Sequence, residues 1–356
     1  MTEQSNQNLP DTNISPIRAF NMASYYKNQL ATDVDNFKKS GRLQSGYANI
    51  DAITNLYPGL YVIGAISSLG KTTFIHQMCD QIAEAGSHVL FFSLEQSTLE
   101  LASKSIARAI AQENTENGLS SLQIRKSDLS NSSILSAVNR CRAFSDRITI
   151  IECSFRATID DITNAVHEYV KQNNAKPVVV IDYLQVIQPS AELRMTSKDT
   201  VDYHVKRLKE LQTDHQITMF VISSLNRQNY MTAIDFESFK ESGGIEYTAD
   251  VIWGLQLQCI HDDLFSKQNK INEKRQRIKE AKREIPRKIE LVCLKNRFGI
   301  SSYSCLFDYY AKYDWFKPDI SALNIADVSD NNVDPDGFMT LPPGMDSELP
   351  WNTNIP

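Results

Sequence analysis

The stretch LYVIGAISSLGKTT, residues 60–73, runs an apolar strand straight into a glycine–lysine–threonine turn, and the amphipathic FIHQMCDQIAEA follows at 74–85. This is the strand–loop–helix order of a nucleotide-binding P-loop. The spacing has a mechanical reason. Successive backbone N–H groups and the helix N-terminus form a nest for phosphates. Lys71 is long enough to reach the β- and γ-phosphates, and the Thr72 hydroxyl can ligate Mg²⁺. Ala65, Ser67, Ser68, Leu69, Gly70, Lys71, Thr72 and Thr73 are therefore the candidate nucleotide-binding positions. The general pattern begins with glycine five residues before Gly70; here that residue is Ala65, with Gly64 one step earlier. A GKT in an ordinary helix-capping turn would leave the same letters, but it would not need the buried strand ahead of it.

On either side of the loop, apolar runs alternate with amphipathic ones. Strands are expected at 59–64, 88–93, 147–152, 177–182, 217–223, 250–257, 288–296 and 302–308, and helices at 72–85, 97–112, 132–145, 159–173 and 198–214. PVVVI at 177–181 and ITMFVI at 217–222 are continuous apolar runs, which is what parallel strands buried on both faces require. The expected fold is α/β, a mostly parallel central sheet flanked by helices. Residues 1–13 are polar and expected to be disordered. Residues 14–40 read as an amphipathic helix with Tyr26, Leu30, Val34 and Phe37 on one face, broken by Gly41–Gly46. The body runs over 41–317, and 318–356 is expected to be a disordered acidic tail.

Composition narrows the class. Of 356 residues 42% are hydrophobic, enough for a sizeable core, and no apolar stretch is long enough to span a membrane. The N-terminus has no signal-peptide hydrophobic region, so a cytoplasmic location is expected. The six cysteines are scattered without a CxxC pair, which favours buried thiols over disulfides or zinc. His76 reads as a packing or surface residue. Net charge is −6, but seven acids and no bases follow Lys317; before them 37 basic residues face 36 acidic ones. The overall charge therefore neither supports nor excludes a nucleic-acid partner; only local patches can. One patch is KQNKINEKRQRIKEAKREIPRK at 267–288, within an insertion over 262–288, with ten Lys/Arg against three Glu. It reads as an exposed basic helix or hairpin between two strands, either a solvated arm or an extra DNA or partner contact. The tail contains DSELPW at 346–351, a solubilising segment or an acidic–aromatic peptide resembling those by which single-stranded-DNA-binding proteins recruit partners.

Three further features carry chemistry. In VVVIDYLQVIQ (178–188) a buried strand ends on Asp182, at the sheet edge where ligands bind, able to hold a Mg²⁺ shell or simply cap the next turn. In VLFFSLEQS (89–97) another ends on Glu95, which can polarise a water at the γ-phosphate and also suits the N-terminus of the following helix. In CLKNRFG (293–299) Lys295 and Arg297 alternate onto one face. They form a solvated hairpin or, where that face meets another subunit's nucleotide, neutralise charge on the transferring phosphoryl group.

AxxxxGKTT, FSLE, IDYLQ, SSLNR at 223–227, ESGGIEYTADVI at 241–252 and KNRFG occur in the order of the C-terminal motor domain of DnaB-type replicative helicases, and GRLQSGYANID at 41–51 resembles that family's entry segment. The resemblance covers roughly residues 41–310, and Ala65 is itself typical of the family. It implies a RecA-like core in a ring, usually of six subunits, with ATP and Mg²⁺ at each interface, single-stranded DNA in the channel and 5′–3′ movement. By resemblance, Lys71 and Thr72 bind phosphate and Mg²⁺, Asp182 supports the metal, and Glu95 activates water. Arg297, with Lys295 beside it, is the arginine finger acting in trans. DNA would be held by loops about 189–199, with Arg194 and Lys198, and 227–241, with Arg227 and Lys240. Two departures stand out. Ser224 occupies the place of the family's γ-phosphate-sensing glutamine, and the N-terminal helical collar is expected to be missing. The 14–40 helix could then chain subunits while a primase, loader or collar protein binds as partner. The expected function is an ATP-driven helicase or translocase of a phage, plasmid or mobile element. The alternatives are a RecA/RadA-like DNA-stimulated ATPase without unwinding and a nucleotide-bound scaffold with little turnover.

Overall fold

Nine strands make one sheet, and their burial explains their order. We label them β1 Gly59–Ala65, β2 Val89–Ser93, β3 Ile148–Glu152, β4 Val178–Asp182, β5 Thr218–Ser224, β6 Val251–Leu257, β7 Arg287–Asn296, β8 Tyr303–Tyr310 and β9 Trp315–Pro318. The computed structural model describes residues 19–40, 43–189, 195–226, 230–240, 242–267 and 269–321. The sheet order is β3-β2-β4-β5-β1-β6-β7-β8-β9. The first six strands pair in parallel, and β6–β7, β7–β8 and β8–β9 are antiparallel. Every residue of β1, β2, β4 and β6 is buried, whereas β8 alternates, burying Cys305, Phe307 and Tyr309. Continuous burial thus marks the central parallel strands, and alternation marks β8 in the antiparallel part of the sheet.

The expected mostly parallel α/β sheet is what forms, with each expected strand and helix present to within a few residues. The main helices are Lys71–Glu84, Thr98–Glu113, Ser132–Arg142, Ile159–Asn173 and Ser197–His215. Two begin with reciprocal capping boxes, Ser97 with Glu100 and Thr158 with Asp161. Strand β9 is additional to the expected set. It follows a left-handed turn at Asp314 and carries Phe316, which stacks on Tyr309 at 4.0 Å and meets Phe74 edge-on at 5.3 Å. The six cysteines are all free thiols. No described helix is long and apolar enough to cross a membrane.

Residues up to Gly41 form a unit of their own. Its described part is two helices, Met22–Asn28 and Leu30–Ser40, where one was expected. The break is at Gln29, after Asn28, a weak helix former. Across the break the Tyr25 hydroxyl donates to Asp33 at 3.0 Å. Tyr26, Leu30, Val34 and Phe37 are all exposed. Residues 1–13 and the DSELPW segment lie outside the described residues.

Candidate nucleotide-binding site

The loop after β1 is shaped by two left-handed residues, Ser68 at φ 68° and Gly70 at φ 88°. Gly70 has a second constraint: a Cβ there would lie 2.9 Å from the Tyr309 ring. Only glycine satisfies both. Ala65 and Leu69 are buried, so their contribution to a ligand is restricted to backbone groups. The Lys71 ammonium donates to the Ala65 carbonyl at 3.0 Å, curling back over the loop. Burial lowers its pKa, opposed by the charges of Asp182 and Glu95. Thr73 is turned inward: its hydroxyl donates to Asp314 at 3.1 Å and accepts from Lys104 at 2.9 Å.

Sheet order brings the candidate acids to this edge. Thr72 Oγ1 donates to Asp182 Oδ2 at 2.7 Å, across 110 residues of sequence. Two hard oxygens in contact, beside a loop with two left-handed residues, are a donor set that fits Mg²⁺. Asp182 pairs in register with Ser93 at the end of β2, and Leu94 N–H donates to the Asp182 carbonyl at 2.8 Å. Glu95 is therefore not the strand end, as expected, but two residues beyond it in an exposed bend. The bend suits a group that meets solvent. The Asp182–Tyr183 peptide bond is cis.

Burial pushes the Asp182 carboxyl up to about 6 from 3.8, the Thr72 hydrogen bond opposing and Glu95 reinforcing the rise. A raised folded-state pKa means the native state holds the proton longer than the unfolded chain, so stability falls as pH rises between the two values. In the nucleotide-free protein, Asp182→Asn is expected to raise the unfolding midpoint above pH 6, an advantage that fades as pH falls towards 4. Urea titrations at several pH values check this.

Ser224 closes β5 opposite Ala65. Its N–H donates to Gln185 Oε1 at 3.1 Å, Gln185 Nε2 donates to Ser223 Oγ at 2.9 Å, and the Ser224 carbonyl accepts from Lys240 N–H at 3.1 Å. Gln185 stands within the IDYLQ motif but is not among the residues that the sequence singles out; three residues after Asp182, it ties β4's edge to β5's. Lys240 and Lys198 are exposed. Arg194 and Arg227 lie outside the described residues.

Lys295 and Arg297 are not at this edge. Arg297 N–H donates to the Asp250 carbonyl, and Asp250 Oδ2 accepts from Leu60 N–H at 2.8 Å, at the beginning of β1. Seven residues of β1 separate them from the phosphate loop, about 20 Å of extended chain. Lys295 Nζ donates to Glu246 O at 2.6 Å and Arg297 Nη2 to Tyr247 O at 3.2 Å, carbonyls in the last turn of the Ser242–Thr248 helix. Cations suit that end of a helix. Burial lowers the Lys295 pKa, with Arg297 adding to it. Arg297 also pairs with Asp250 at 3.2 Å, its side chain half exposed.

The profile of the DnaB-like helicase C-terminal domain matches residues 42–317. A probable replicative DNA helicase of Trieres chinensis is 24% identical over 276 residues, covering 76% of this chain and 58% of that protein. The replicative DNA helicase DnaB of Geobacillus stearothermophilus is 24% identical over 231 residues, covering 63% of this chain and 48% of that one. The chain thus spans about half the length of such relatives. Among solved structures, an isolated ATPase domain superposes with a TM-score of 0.64 at 18% identity, covering 83% of this chain and 98% of that one. A DnaB-like replicative helicase studied with primase gives 0.64 at 17%, covering 85% and 67%. These two likenesses bear on the fold, which is RecA-like. Since the profile match takes in the phosphate loop, both acids of its edge and the Lys295–Arg297 edge, the chain belongs to the DnaB-like helicase C-terminal domain family.

Proposed function

We propose that this chain is an ATP-hydrolysing motor on single-stranded DNA, a replicative-type helicase working as a head-to-tail ring, six subunits being the family's usual number. The observation that carries the reading is the separation of the site's two halves. Lys71, Thr72, Asp182 and Glu95 gather at one sheet edge, and Lys295 and Arg297 stand at the other. For Arg297 to complete a phosphate site, that site must belong to a second copy. Such an interface is heterologous, and it closes into a ring or runs on as a filament.

In this scheme the loop amides and Lys71 hold the triphosphate, and Thr72 with Asp182 holds Mg²⁺. Held by Thr72 and Asp182, a bound Mg²⁺ would supply neutralisation of phosphate charge. Glu95 accepts the proton of the attacking water. Arg297 from the neighbour, steadied beside Lys295, offers a planar donor fork to the transferring group. Lys198 and Lys240, with Arg194 and Arg227, contact DNA phosphates without reading bases. The Lys240–Ser224–Gln185 chain of hydrogen bonds links that surface to β4 and β5 through the Ser224 backbone and the Gln185 side chain, where the family uses a longer side chain at the Ser224 position. A primase or loader is a further partner of this reading.

The test combines DNA-stimulated ATP hydrolysis with a forked-duplex assay. Both activities are expected of the wild type, and Lys71→Ala is expected to remove both. Hydrolysis without strand separation would favour a RecA-like ATPase; a biological role surviving Lys71→Ala would favour a scaffold.

A further inference from the structure

The basic insertion is not only a solvated arm. Its helix, Ile271–Ala281, buries Ala281 to 2% exposure and packs Ile278 on the core. Arg277 pins it, donating to Asp262 and to Glu284, each at 2.9 Å. The helix therefore delivers its next residue, Lys282, to a fixed place: the Lys282 ammonium donates to the Ser67 carbonyl at 2.8 Å. Arg287, the first residue of β7, donates Nη1 to the Ser68 carbonyl at 3.0 Å and Nε to the Lys282 carbonyl at 2.5 Å. Its guanidinium lies 5.6 Å from the centroid of the Tyr309 ring, the same ring that packs on Gly70.

Three cations thus converge on one loop, Lys71 on Ala65, Lys282 on Ser67 and Arg287 on Ser68. Among the described residues, Lys282 and Arg287 bond only to neutral backbone carbonyls. Burial lowers the Lys282 pKa and Arg287 adds to that; Lys282 in turn lowers Lys71. The cluster is short of negative charge. An anion entering the loop would replace these neutral acceptors with charged ones, adding ion-pair attraction to each bond.

We propose that Lys282 and Arg287 bind the phosphates of the nucleotide in cis, exchanging the Ser67 and Ser68 carbonyls for phosphate oxygens and fastening the basic insertion onto the loaded loop. This rests on the phosphate loop's binding a nucleoside triphosphate. It differs from the role of Arg297, which belongs to the opposite edge and to a neighbour's site.

The test measures equilibrium affinity for a fluorescent, non-hydrolysable ATP analogue with Mg²⁺, for the full chain and for Lys71→Ala, Lys282→Met, Arg287→Met and Lys282→Arg. Methionine keeps an apolar stem in each place. Each methionine variant is expected to bind about tenfold more weakly, as loss of a bond to a charged group implies. Its affinity should also depend less steeply on salt, Lys282→Arg should recover most of the loss, and ligand-free stability should fall by less than the binding free energy does. Methionine variants within about twofold of the wild type, while Lys71→Ala binds poorly, would overturn the proposal and leave the nucleotide reading standing. So would an affinity loss matched by an equal loss of ligand-free stability, which marks loop support alone. A wild type that does not bind the analogue would remove both.

Discussion

Arg297→Ala is expected to leave triphosphate binding intact and to cut DNA-stimulated turnover by about 10³-fold or more, the scale at which arginine fingers act in phosphoryl transfer. The fold should survive the change. Asp250, its partner at 3.2 Å, keeps the Leu60 N–H at 2.8 Å and the Lys209 ammonium at 2.5 Å. The lost pair is half exposed on the arginine side, and such pairs contribute about 1 kcal/mol or less. Arg297→Lys should recover only a part, because a point charge cannot reproduce a planar fork. Comparing turnover with analogue affinity separates the outcomes: binding and turnover lost together would place Arg297 in folding or in its own subunit's loop.

The second large effect is on stability. Arg108, buried at 4% exposure on the Thr98–Glu113 helix, makes an ion pair with Asp80 of the phosphate-loop helix and donates Nη1 to the Asp314 carbonyl at 2.9 Å. Asp80 also accepts from Ser105 at 2.6 Å. Next to this, Thr73, Lys104 and Asp314 form a second polar group under the loop. Arg108→Ala strands a buried carboxylate and is expected to cost about 3–5 kcal/mol, measured as a lower urea midpoint with an unchanged slope. The double variant Asp80→Asn, Arg108→Met should lose less than the two single changes together, because it leaves no unpaired charge.

Much of this architecture could be anticipated from local patterns. PVVVI and ITMFVI read as central parallel strands because burial on both faces removes polar alternation. Thr72 and Asp182 could be expected at one edge, since both lie just past or at the end of such runs in a parallel sheet. Other features have no local signature. Lys282 reaches Ser67 over 215 residues and Arg287 reaches Ser68 over 219, so nothing in KRQRIKEAKREIPRK announces them. Strand β9 is short and exists by pairing with β8 after the turn at Asp314, a tertiary event. The place of Lys295 and Arg297 at the start of β1 depends on β7 running antiparallel to β6, a direction that apolar pattern alone does not assign. The kink at Gln29 interrupts a helix whose apolar spacing is regular on both sides.

The most direct test of trans completion mixes two inactive proteins. Lys71→Ala lacks a working phosphate loop but carries Arg297; Arg297→Ala has the loop but no finger. Assembled together, random head-to-tail neighbours put an intact loop against an intact finger at about a quarter of the interfaces. The account predicts that DNA-stimulated ATP hydrolysis, absent from either variant alone, returns in the mixture. A mixture as inactive as its components, or an Arg297→Ala monomer turning over at the wild-type rate, would contradict it.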